Sequence, residues 1–189
     1  MNPRTAIAIG CSAGGLVALE RLLPGLDPRL PVPILVCCHT GSPDVGLLVE
    51  LLGRHSVLPV KEAHEREAAD PGTVHVAPSG YHLLVESNFH FSLSVDAKVA
   101  YARPSIDVLF ETAAAAWRER LVAVLMTGAN SDGAQGLKAV RDAGGYAIVQ
   151  DPSTAEADVM PRAGLDIAGA DACLPLDDIA AALNRLCMS

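Results

Sequence analysis

The chain has 189 residues, half of them hydrophobic, with a mean hydropathy of +0.30. That suffices for a full core and excludes disorder, and the length fits one domain over residues 1–189. Fourteen Lys and Arg stand against 22 Asp and Glu, a formal charge of −8. This balance disfavours nucleic acid and anionic membrane surfaces as partners. The five cysteines form no CxxC pair and match neither a disulfide framework nor a zinc spacing, so a reducing cytoplasm is expected. Each cysteine reads most simply as a small buried hydrophobe. No apolar run approaches the ~18 residues of a membrane span. Ala8-Ile9-Gly10-Cys11 mimics a lipoprotein cleavage box, but only Thr5 to Ile9 precede it as an apolar stretch.

In chain order, Ala6 to Ile9 reads as a strand and Gly14 to Leu23 as the helix after it. The segment from Pro24 to Pro33 holds four prolines and reads as a loop. Ile34 to Cys38 is unbroken apolar sequence, as in a strand covered on both faces. Val45 to Leu52 suits a helix closed by Gly53, and a third strand is expected at Leu58 to Val60. Thr73 to Ala77, Tyr81 to Glu86 and Phe89 to Val95 are strand-like, with Ser87-Asn88 as a turn, so an antiparallel excursion is expected. Ser105 is a candidate N-cap for a helix through Trp117. Leu121 to Met126 is a buried strand, Ala134 to Ala143 a helix closed by Gly144-Gly145, Ala147 to Val149 a strand and Ile179 to Leu186 a closing helix. The alternation predicts an α/β fold, doubly wound around a mostly parallel sheet.

Gly10-Cys11-Ser12-Ala13-Gly14 matches G-x-S-x-G between a predicted strand and a predicted helix. Such a turn lifts a serine hydroxyl above the sheet edge, beside the positive end of a helix. The same small residues would also serve a phosphate site or a plain turn. A serine nucleophile needs a base and an orienter. All six histidines precede residue 91, which excludes the final-loop histidine of α/β-hydrolases. His39 directly follows the second strand and shares the sheet edge with Ser12. His55, His64 and His90 read as solvated or capping residues, whereas His75 and His82 remain open. The loop from Met126 to Ala134 also leaves a strand at that edge. Its Asp132 can cap the following helix, orient His39, or do both, and its small residues around Gly128 can turn N–H groups toward an oxyanion.

Further motifs occur in order: Val76-Ala77-Pro78 with His82, Arg103-Pro104-Ser105-Ile106-Asp107, Thr127-Gly128 through Gly136, Gly144-Gly145, Gln150-Asp151 and Met160-Pro161. With Ile9 to Gly15 and His39, they resemble the catalytic domain of the chemotaxis receptor methylesterases, which are protein-glutamate methylesterases and glutamine deamidases. The resemblance runs from Ile7 to about Ile179. It implies a doubly wound parallel sheet with an antiparallel hairpin, Ser12 as nucleophile, His39 as base and Asp132 as orienter. It also implies backbone N–H groups of Ala129 and Ala13 as oxyanion donors, no metal or organic cofactor, and methylated chemoreceptor helices in the cytoplasm as partners. Departures are local. The usual Gln-His-Met-Pro reads Cys38-His39-Thr40-Gly41, Gly-Met-Gly reads Gly128-Ala129-Asn130, Val159 replaces a glycine, and Ala13 stands where threonine is common. These altered loops leave hydrolysis of another ester or amide, or a silent phosphate-binding or interaction domain, as alternatives. A receiver domain usually precedes such domains. With the first strand starting near residue 5, none is expected here, and control would fall to a separate protein.

Overall fold

The computed structural model describes residues 4–188. Seven parallel strands make one sheet: β1 (Ala6–Cys11), β2 (Ile34–Cys38), β3 (Val60–Glu62), β4 (Val74–Val76), β7 (Leu121–Leu125), β8 (Tyr146–Gln150) and β9 (Ala172–Leu174), in the order β3-β4-β2-β1-β7-β8-β9. The remaining two, β5 (His82–Val85) and β6 (Phe91–Ser94), form a separate antiparallel hairpin. The fold is therefore the expected α/β architecture with its antiparallel excursion.

The near-continuous apolar strands follow from burial on both faces. Ile7, Ile9 and Cys11 of β1, Ile34, Val36 and Cys38 of β2, and Val122 and Val124 of β7 pack into one core layer. The alternate residues, Ala6, Ala8, Leu35, Cys37, Leu121, Ala123 and Leu125, pack into the other. Helices α1 (Gly15–Leu22), α2 (Gly46–His55) and α6 (Leu176–Cys187) cover the first layer. Helices α3 (Ile106–Trp117), α4 (Ala134–Asp142) and α5 (Val159–Ile167) cover the second.

Several boundaries differ from expectation. The third strand is shifted to Val60–Glu62, and α2 continues through Gly53 to His55. Leu23 opens a 3-10 turn, Leu23–Gly25, instead of ending α1. The α6 helix begins at Leu176, a turn before the expected Ile179. Phe89 belongs to the hairpin turn, at φ +64°, not to the strand. Helix α5 and strand β9 had no sequence expectation at all. Four cysteines are buried as expected, but Cys173 on the edge strand is exposed. No helix among the described residues is long and apolar enough to cross a membrane.

Candidate active site

Chain order reverses at the centre of the sheet. From β1 the chain winds out through β2 and β4, then returns to β7 on the other flank. Ligands of open α/β sheets bind outside the strand carboxyl ends at such a switch point. Ser12 follows β1, His39 follows β2, and Asp132 lies in the loop after β7, so three adjacent strands deliver them to one edge. The backbone fastens these ends together. The His39 N–H donates to the Cys11 carbonyl (3.1 Å) and the Ser12 N–H to the Thr127 carbonyl (2.9 Å).

His39 Nε2 lies 2.9 Å from Asp132 Oδ2. Asp132 is fully buried. Its Oδ2 also accepts from the Ile106 N–H (2.7 Å), and its Oδ1 accepts from the Ser105 hydroxyl (2.8 Å) and the Asp107 N–H (3.1 Å). Burial alone would raise its pKa, but the bonds from His39, Ile106, Asp107 and Ser105 outweigh it and hold the carboxyl below the usual range. Asp132 thus caps α3, not the helix that follows it, which starts from Gly133. Asp107 returns the arrangement, since its Oδ1 accepts from the N–H groups of Gly133 (2.9 Å) and Gly136 (2.7 Å) at the start of α4.

With Nε2 engaged by Asp132, Nδ1 is the ring nitrogen left for Ser12. No hydrogen bond joins the Ser12 hydroxyl to His39 among the described residues. Catalytic hydrogen bonds commonly tighten only in the substrate complex. Ser12 and His39 together line two clefts. One, about 520 Å³, runs along Val17, Leu47, Leu48 and Leu51 with Asp44 and Glu156. The other, about 460 Å³, runs along Ser79, Lys98, Tyr101, Arg103 and Asn130.

Ala13 and Ala129 are exposed, and neither N–H has a backbone partner among the described residues. The Gly128 N–H, by contrast, is spent on the Ala157 carbonyl (3.0 Å) and is not available to an oxyanion. Gly14, at φ +76°, makes the turn into α1; a side chain there would be strained and would meet Glu156.

The other histidines are elsewhere. His75 is buried against Phe91, where desolvation lowers its pKa, and accepts from the Asp70 N–H (3.1 Å). His82 is also buried. Its Nε2 donates to the Ala97 carbonyl (3.0 Å), while Nδ1 accepts from the Ser105 N–H (3.2 Å). His82 therefore supports Ser105, which in turn bonds Asp132. Thr127 is a second support, donating to the Ala13 carbonyl (2.8 Å) and accepting from the Ala157 N–H (2.9 Å). Residue-type reasoning missed both supports; only the motif series contained them.

The CheB methylesterase family model matches residues 7–183. A putative protein-glutamate methylesterase/protein-glutamine glutaminase of Leptospira interrogans is 45% identical over 181 residues, 96% of this chain and 94% of that protein. A protein-glutamate methylesterase/protein-glutamine glutaminase of Symbiobacterium thermophilum is 39% identical over 97% of this chain and 51% of its own length. The crystal structure of the Thermotoga maritima CheB methylesterase catalytic domain superposes with a TM-score of 0.93 at 32% identity, covering 96% of this chain and 98% of that one. Sequence and fold agree, and the chain belongs to the CheB methylesterase family.

Proposed function

We propose that the protein is a serine hydrolase that demethylates glutamyl methyl esters on the cytoplasmic helices of chemoreceptors, with Ser12, His39 and Asp132 as its triad. The observation that carries this reading is the His39–Asp132 bond at the switch point, in a chain of this family. Asp132, ionised and fixed by three further donors, engages Nε2 and leaves Nδ1 as the ring nitrogen for Ser12, which lines the same cleft. The Ser12 hydroxyl attacks the ester carbonyl while His39 takes its proton. The N–H groups of Ala13 and Ala129 receive the oxyanion. Collapse of the tetrahedral intermediate expels methanol, protonated by His39, and leaves an acyl-Ser12. Water, activated by the same imidazole, then releases the free glutamate. A primary amide would enter the same acyl-enzyme with ammonia as leaving group, which accommodates the glutaminase activity in the relatives' names.

Methanol release from methylated receptor, measured for the wild type and Ser12→Ala, tests the proposal. Release by the wild type alone, with Ser12→Ala still folded, is the expected result. Substantial release by Ser12→Ala removes the nucleophile assignment. No release by a wild type that labels with a fluorophosphonate at Ser12 removes the substrate but leaves the hydrolase.

A further inference from the structure

Cys11 directly precedes Ser12 and Cys38 directly precedes His39, and the two cysteines are paired in register on the parallel strands β1 and β2. Both side chains enter the same core layer, whereas Cys37 enters the opposite one. Gly15, at the start of α1, leaves the space they occupy: a Cβ there would lie 2.8 Å from the Cys11 sulfur and 3.1 Å from the Cys38 sulfur. Both sulfurs therefore face the same small space beside Gly15. Neighbouring strands run about 4.8 Å apart, inside the Cα separations of roughly 4.4–6.8 Å that a disulfide accepts. Cys11 is sealed, but Cys38 forms part of the lining of the larger cleft together with Ser12 and His39.

We propose that Cys11 and Cys38 are a peroxide-oxidisable dithiol whose disulfide switches off the adjoining active site, an inference that rests on the hydrolase reading above. Interaction with the Cys11 thiol lowers the Cys38 pKa, opposed by burial, while the same interaction and burial push the Cys11 thiol up. Cys38, which lines the cleft where Cys11 does not, is therefore the sulfur that meets a peroxide entering it. Its sulfur attacks one peroxide oxygen. The S–O bond forms as the O–O bond breaks, and the leaving oxygen takes the proton released by Cys38. Cys38 is then a sulfenic acid, oxidised by two electrons. The Cys11 sulfur next attacks the Cys38 sulfur: the S–S bond forms, the S–O bond breaks, and hydroxide leaves as water with the Cys11 proton. In sum, two thiols and a hydroperoxide give a disulfide, water and an alcohol, or a second water when the oxidant is hydrogen peroxide. Drawing the sulfurs to a bond of about 2.05 Å moves the chain at the two positions before Ser12 and His39. Displacements near 1 Å suffice to cost catalysis a hundredfold.

The test treats the full chain with hydrogen peroxide, alkylates the remaining thiols and maps the peptides by mass spectrometry, alongside the rate of fluorophosphonate labelling at Ser12. The expected result is a Cys11–Cys38 linkage with labelling slowed at least tenfold, both reversed by dithiothreitol. Cys11→Ala should label at the wild-type rate before oxidation. After peroxide it should form no linkage and should keep its labelling rate, because Cys38 has no resolving partner with which to close the disulfide. Both thiols staying free while exposed Cys173 oxidises would overturn the inference, as would a linkage that leaves labelling unchanged. The mapping needs no substrate and no variant. Failure of the reduced protein to label at all would instead refute the hydrolase reading, leaving the linkage itself to be scored independently.

Discussion

Each carboxylate oxygen of Asp132 accepts from two donors: His39 Nε2 and the Ile106 N–H on Oδ2, the Ser105 hydroxyl and the Asp107 N–H on Oδ1. An amide nitrogen at either place faces two donors with none of its own acceptors, so Asp132→Asn should lose stability as well as turnover. The expected cost is about 1–3 kcal/mol in denaturant unfolding, with turnover reduced on the order of a thousandfold or more. His39→Gln removes the base of the proposed triad from a half-buried loop position, so it should lose comparable activity with almost no change in unfolding midpoint. Equal destabilisation by the two variants would contradict this division of roles. Asp107 offers a pH test at the same scale. Burial and the nearby charge of Asp132 push its pKa to about 6 from 3.8, against the hydrogen bonds from Gly136 and Gly133. The folded state therefore holds this proton more tightly than the unfolded chain. Its contribution favours folding below about pH 4 and is lost as the pH rises through 6. Asp107→Asn keeps an acceptor for Gly133 and Gly136 without the charge. Relative to wild type it should gain stability between pH 4 and 7, by up to about 3 kcal/mol. A pH-independent difference would show that Asp107 does not titrate there.

Helices α3 and α4 are joined by this exchange of caps, and they touch closely because Gly136 has no side chain. A Cβ on Gly136 would lie 2.7 Å from the Phe110 Cβ and 2.8 Å from the Asp107 backbone. Neither neighbour is the free end of a flexible chain, so Gly136→Ala must push the helices apart. It should cost about 1–3 kcal/mol and slow turnover through Asp132, checked by unfolding and by labelling at Ser12. A wild-type unfolding midpoint would refute the close packing. The elements that carry Ser12 and His39 were legible because β1 and β2 are buried on both faces and read as unbroken apolar runs. Helix α5 was not legible. It holds Pro161 and Gly164, poor helix formers, and owes its place to packing, with Met160 against Gly128 and Gly164 against Leu125. Strand β9 has three residues and half-exposed packing, too short for a period to show. His82, Ser105 and Thr127 support the site through bonds spanning 23 or more residues of sequence, which local spacing cannot reveal.

Across the whole molecule, rigidity is graded from the sheet to the cleft rim. The central strands β1, β2 and β7 are buried along their full length and bonded on both sides. One wall of the smaller cleft, by contrast, includes Lys98, Ala100 and Tyr101, from an exposed loop joined to itself by the isolated Val99–Ala102 bridge. Ala100 and Tyr101 sit at positive φ, and Tyr101 is 97% exposed. An aromatic ring held on a strained backbone and covered by nothing among the described residues is suited to meet a protein substrate, where tyrosine supplies large contact area at low entropic cost. Local opening free energies follow buried contacts and hydrogen bonds. Amides of 97–102 should therefore exchange with deuterium fastest among the cleft segments, and those of β1, β2 and β7 only on global unfolding. The residues of the proposed triad thus sit on the stable floor and Tyr101 on the compliant rim. Tyr101→Ala should then raise KM for methylated receptor severalfold while leaving kcat, and fluorophosphonate labelling of Ser12, within about twofold of wild type. An equal fall in kcat, or slowed labelling by the small probe, would mean that this loop helps to shape the floor and that rim and floor are not independent.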